Sequence, residues 1–182
     1  MKTLARLVLP ALLLMLAGCS VLFGAREVSL PLPRLQQELE RHFPYDDRYL
    51  ALFDVTLSQP RVTLQPAANR IELQLATRIV PVLGGAPSNG SLMVSGALRV
   101  DAASRALLLA QPRVERFTLE GVDPVAAERI GRIGGLLLQQ ALTELPLYRF
   151  EPSDFRRFGV EFTPVAISVK SDALAVTFEP VK

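Results

Sequence analysis

The sequence predicts an α+β domain, and three patterns carry that expectation. Apolar residues alternate with polar ones from about Leu50 to Leu119, as in antiparallel strands that bury one face. The apolar spacing then changes to that of a helix between Pro124 and Leu145, and period two returns in a closing hairpin from about Val160 to Val181. A half-buried sheet and an amphipathic helix each have one apolar side to cover, so the two share a core.

The first element is an export signal. Lys2 and Arg6 form a short cationic region, Leu7 to Leu16 an apolar stretch too short to span a bilayer, and Leu16-Ala17-Gly18-Cys19 resembles the lipobox of bacterial lipoproteins. That resemblance implies cleavage between Gly18 and Cys19 and acylation of Cys19, the only cysteine. With two or three acyl chains, each buried methylene worth about 0.8 kcal/mol, attachment is permanent. Ser20, not Asp, follows the cysteine, which in lipoproteins of this type implies transfer to the outer membrane, on its periplasmic face. With one cysteine the domain has no internal disulfide and relies on its core.

Removal of residues 1–18 from the 182 leaves 164, a suitable size for one domain, 30–182, behind an acylated tether, 19–29. Lys2 and Arg6 leave with the signal, so 18 basic residues balance 18 acidic ones and the sequence pI near 9.0 overstates the basicity of the mature chain. Nucleic acid is therefore not an expected partner, and the acyl chains are the expected membrane attachment.

Within the domain, Pro33 suits a first helical turn, Leu35, Leu39 and Phe43 recur at helical spacing, and Pro44 ends the run, with Gln36, Gln37, Glu40 and Arg41 facing water. Phe53, Val55 and Leu57 begin the period-two region. The phase shifts near Pro60 to Val62 and Leu64, which predicts a bulge. Pro66 to Asn69 forms a turn, and Ile71, Leu73, Leu75 and Ile79 line the next strand. Gly84 to Gly90 is a loop; Leu92, Val94, Leu98 and Val100 form a third strand; Asp101 to Ser104 turns the chain into Leu107, Leu109, Val114, Phe117 and Leu119, with an irregularity at Pro112. Asp123 caps the long helix and Pro124 occupies its first turn. Ser153 starts a brief helical turn, and the hairpin turns at Lys170 to Ala173.

Taken in this order, the lipobox, the short helix with Leu35, Leu39 and Phe43, the meander, the helix from Pro124 to Leu145 and the hairpin closing on Phe178-Glu179-Pro180 resemble the YceB-like family of bacterial lipoproteins, similar in fold to tubular lipid-binding (TULIP) proteins. The resemblance implies a strongly curved antiparallel sheet wrapped around one long helix, with an apolar groove between them. Gly131, Gly134 and Gly135 have no counterpart in that pattern.

Reactive chemistry is sparse. His42 is the only histidine, at the polar end of a short helix whose dipole favours it, and no Gly-x-Ser-x-Gly sequence accompanies it. A histidine–cysteine metal site is excluded by acylation of Cys19, and Asp46-Asp47 is expected in a turn and not in a calcium cage. We therefore expect no enzyme, no metal and no cofactor. The expected function is an outer-membrane-anchored periplasmic lipoprotein that binds a lipid or other hydrophobic ligand in the groove, lined by Leu73, Leu75, Leu98, Ile133 and Leu137. The alternative is an assembly lipoprotein with a packed interior that docks an envelope protein.

Overall fold

A computed structural model describes residues 24–49, 51–123, 125 and 146–181. Strand β1 (Arg26–Pro31) leads directly into helix α1 (Leu32–His42), which ends at a cis Phe43–Pro44 bond. Strands β2 (Tyr45–Tyr49), β3 (Phe53–Gln65), β4 (Arg70–Pro81), β5 (Ser88–Asp101), β6 (Ala106–Leu119) and β7 (Pro146–Arg149) follow. Helix α2 (Pro152–Phe155), β8 (Arg156–Arg157), β9 (Val160–Val169) and β10 (Ala173–Pro180) complete the described chain.

The strands form two curled antiparallel sheets, not one. The six-stranded sheet runs β2-β3-β4-β5-β6-β7 in chain order, and the four-stranded sheet has the order β1-β10-β9-β8. This overturns the expected single sheet curved around a long helix: the described domain is mostly β, and its two helices, α1 and α2, are short. The expected helix over 124–145 lies outside the described residues except for Val125, whose N–H donates to the Asp123 Oδ1 at 2.9 Å as an N-cap requires. Alternation identifies the buried face of a strand but not its partner. That is why the hairpin's pairing with β1 was missed. Residues 26–29, expected as tether, belong to β1, where Val28 and Leu30 lie opposite Val176 and Leu174.

One core joins the sheets. Leu30, Val169, Leu174, Val176 and Phe178 of the four-stranded sheet pack in the same cluster as Ile71, Leu73, Leu75, Leu92, Val94, Leu107 and Leu109 of the six-stranded one. Leu35 and Leu39, one helical turn apart, insert α1 into it. Between the sheets, Phe150 meets Tyr148 and Phe178 edge to face, with ring centroids 5.1 and 5.8 Å apart, the geometry that aromatic quadrupoles favour.

The irregularities foreseen at the prolines are present. Register shifts between Ser58 and Arg61 where Gln59 has φ +51°, and Gln111, just before Pro112, has φ +48°. Pro66–Ala68 is one 3-10 turn closed by Asn69 in the left-handed region. Asp46 and Asp47 do not form a turn. They lie in β2, opposite Thr56 and Val55, and the Asp46 carboxylate accepts the Thr56 hydroxyl at 2.5 Å.

Candidate functional site

The inward face of β4 is the centre of the domain's apolar interior. Ile71, Leu73, Leu75 and Thr77 stand on it at every second position and are buried. Across the sheet, Leu73 lies opposite Val62 and Val94, and Leu75 opposite Leu92. Leu73 and Leu75 are fully enclosed core side chains, whereas Leu98 is half-buried at the margin of the same cluster, opposite Leu109. Ile133 and Leu137, like Gly18 and Cys19, lie outside the described residues.

Sequence reasoning missed Thr77. It is 4 % exposed, and its Oγ1 has no hydrogen-bond partner. It sits between Leu57 on β3 and Gly90 on β5, where no side chain can be added: a Cβ on Gly90 would stand 1.9 Å from the Thr118 carbonyl oxygen. A buried unpaired hydroxyl costs about 1–3 kcal/mol, so it marks the one polar group that this aliphatic face offers to a guest molecule. A hydroxyl in the Ile71–Ile79 alternation was visible in the sequence, but its lack of a partner required the packing.

A concavity of about 820 Å³ lies between α1 and the kink of β3, lined by Leu32, Gln36, Glu40, Pro60, Arg61 and Thr63 among others. Gln36 organises it. Expected to face water, Gln36 is half-buried; its Nε2 donates to the Pro60 carbonyl at 2.6 Å and to the Glu40 Oε1 at 2.8 Å, while its Oε1 accepts the Val62 N–H at 3.0 Å. Strand β2 pairs only with residues 53–57, so among the described residues the backbone of β3 beyond the bulge has no strand on that side. The Gln36 amide takes the place of one. Arg34 of the same helix lies 5.5 Å from the ring centroid of Tyr148, whose hydroxyl is pushed above its ordinary pKa by burial, with Arg34 opposing that shift. His42 turns back on its own helix, with Nδ1 2.8 Å from the Glu38 carbonyl.

These features lie in a chain whose residues 33–173 match one family model, described as protein of unknown function (DUF1439). The chain belongs to the DUF1439 family. Among solved structures, the DUF1439 chain is similar to one described as the crystal structure of lipopolysaccharide binding protein, at 13 % identity and a TM-score of 0.33 over 87 % of this chain. It spans about half of that protein, 50 % of its length. No curated protein matches.

Proposed function

We propose that this DUF1439 protein is a bacterial lipoprotein, acylated at Cys19 and held on the periplasmic face of the outer membrane, whose domain binds a lipid or similar hydrophobic molecule without catalysing a reaction. The resemblance to YceB-like lipoproteins supports the same reading. The observation that carries it is the inward face of β4: an aliphatic row, Ile71, Leu73, Leu75 and Ile79, interrupted by one unpartnered buried hydroxyl, Thr77. Such sites are mostly apolar, with a few polar groups that fix orientation. Desolvation drives binding. At about 25 cal/mol per Å2, covering 200 Å2 of an acyl chain gives a gross gain of roughly 5 kcal/mol before ordering costs, enough for reversible carriage.

The test uses residues 19–182 with Cys19→Ser, exported behind a signal peptide that lacks a lipobox and purified from the periplasm. Native mass spectrometry and titration with a fluorescent fatty acid are expected to show one apolar ligand per chain. Thr77→Val, which keeps shape and removes the hydroxyl, is expected to weaken probe binding several-fold. Absence of both co-purified lipid and probe binding would refute the carrier reading.

A second reading, an assembly lipoprotein that docks an envelope protein, is favoured by the complete enclosure of Leu73 and Leu75. In that case the interior takes no guest, and Thr77→Val changes stability alone.

A further inference from the structure

One end of the six-stranded sheet carries an apolar tip that the core does not use. Phe53 pairs with Pro81, and the Val82 N–H donates to the Leu52 carbonyl at 2.8 Å, which fixes the β2–β3 and β4–β5 connections side by side. Leu52, Phe53, Val82 and Leu83 are exposed there, Leu83 at 86 %. The two connections carry no charge, none from Tyr49 to Phe53 and none from Ile79 to Leu98; the charge beside them, directly after β6, is Glu120, whose N–H donates to the Asn89 carbonyl at 2.7 Å. The nearest charges on β2 and β3, Arg48 and Asp54, neutralise each other through a 2.6 Å ion pair.

We propose that this tip docks on the lipid bilayer, seating Leu52, Phe53, Val82 and Leu83 in its interface; the proposal rests on the lipoprotein reading above. Large exposed apolar side chains clustered at one place mark an interaction site. The two uncharged connections fit a surface that gains by leaving water more than a charged protein rim does.

The chain before the domain makes the bilayer the occupant at hand. From Cys19 to Arg26 an extended chain reaches about 25 Å, so an acylated Cys19 holds the domain against a membrane at high effective concentration. Arg26, in the four-stranded sheet, lies on the side of the β5–β6 turn, at the opposite end of the six-stranded sheet from the tip. Its guanidinium meets Ser153 and the Phe178 ring, Phe178 packs on Phe150, and the Phe150 N–H donates to Arg105, in the β5–β6 turn. Acyl anchor and tip are then two points of attachment, and the domain lies along the membrane between them.

Vesicle flotation of the mature Cys19→Ser chain tests this without the acyl chains. With phosphatidylcholine vesicles, the protein is expected to float, and to do so equally at about 0.5 M NaCl, where charge attraction is screened. Leu83→Asp combined with Val82→Asp is expected to lower the bound fraction about tenfold, with an unchanged melting temperature. Phe158→Asp, at a 76 % exposed side chain in the β8–β9 connection, is expected to leave flotation unchanged. Failure of the Cys19→Ser chain to float, loss of its flotation in salt, or an equal loss when Phe158→Asp is added overturns the proposal. Fatty-acid probe binding by the tip variant in vesicle-free buffer reports the interior separately: retained probe binding with lost flotation supports the tip, and flotation without probe binding rejects carriage alone.

Discussion

The side-chain Oδ1 of Asn69 accepts the backbone N–H of Val169 at 2.7 Å, across a hundred residues of chain, while the same amide donates through Nδ2 to the Ile167 carbonyl at 3.2 Å. One amide thus pairs with the C=O of one residue and the N–H of the second residue after it, as a neighbouring strand would. Gln36 makes the same pattern with Pro60 and Val62. Asn69 joins the β3–β4 turn to β9 and so fastens one sheet to the other.

Asn69→Gly keeps the left-handed backbone of this position and removes both bonds. We expect a loss of about 1–3 kcal/mol in urea unfolding, and a larger loss for Asn69→Ala, which adds strain at φ +50°. An unchanged urea midpoint in both variants would show that the sheets are held by the core alone.

Gln36→Glu leaves an acceptor for Val62 but places a carboxylate against the Pro60 carbonyl and Glu40. Only the protonated carboxyl can donate to Pro60, so its folded pKa lies above the unfolded one. Its stabilising contribution is present below the unfolded pKa and is lost as pH rises through the folded value. The variant is therefore expected to be less stable than wild type at pH 7, and the gap in melting temperature to narrow in acid. A gap independent of pH would contradict the amide's role.

Tyr148 gives an alkaline signature. Burial raises its pKa, so folding favours the neutral phenol, and its contribution is intact below the unfolded value near 10 and lost as pH rises through the folded one. Stability is expected to fall above about pH 10, with a shallower decline in Tyr148→Phe. Identical alkaline slopes in the two proteins would assign the decline to other groups.

Gly90→Ala is expected to prevent folding or to cost more than about 3 kcal/mol, because the new Cβ meets the Thr118 carbonyl, part of a paired strand. Gly96→Ala meets only the Leu109 side chain, at 2.4 Å, and is expected to cost about 1–3 kcal/mol. The reverse order in thermal unfolding would show that β5 and β6 separate more readily than their register implies.

Leu73→Phe overpacks an enclosed position and is expected to cost about 1–3 kcal/mol, whereas the half-buried Leu98→Phe is expected to cost less than about 1 kcal/mol. Equal tolerance at both positions would mean that the space around Leu73 is wider than its enclosure indicates.

Much of the fold was legible in local patterns. Strands β3 to β6 and the closing hairpin followed from alternation, α1 from Leu35 and Leu39, and the bulge from the phase change at Pro60. Two things were not. The division into two sheets depends on which strand β10 pairs with, and β1, with only Val28 and Leu30 on its inward face, carries too little pattern to announce itself. The roles of Gln36, Asn69 and Thr77 depend on partners distant in sequence, so a glutamine on a helix reads as solvated and an asparagine after a turn as mere turn chemistry. Leu73 and Leu75 were legible as inward-facing, but alternation does not distinguish a wall of a groove from a packed core.

The pairing of β1 with β10 sets a timetable for the chain. β1 is synthesised at the start of the domain, yet Leu30 meets its partner Leu174 only when the last strand exists. At about 5–20 residues per second, that strand follows on the order of ten seconds later. Closing so long a loop is entropically costly and slow, so the four-stranded sheet forms late, after the local hairpins of the six-stranded one. During that interval β1 presents an open edge with Val28 and Leu30 uncovered, a target for holdase chaperones and for mispairing with other chains. Deletion of β10 is therefore expected to yield a product that aggregates through its first strand and not a smaller stable domain.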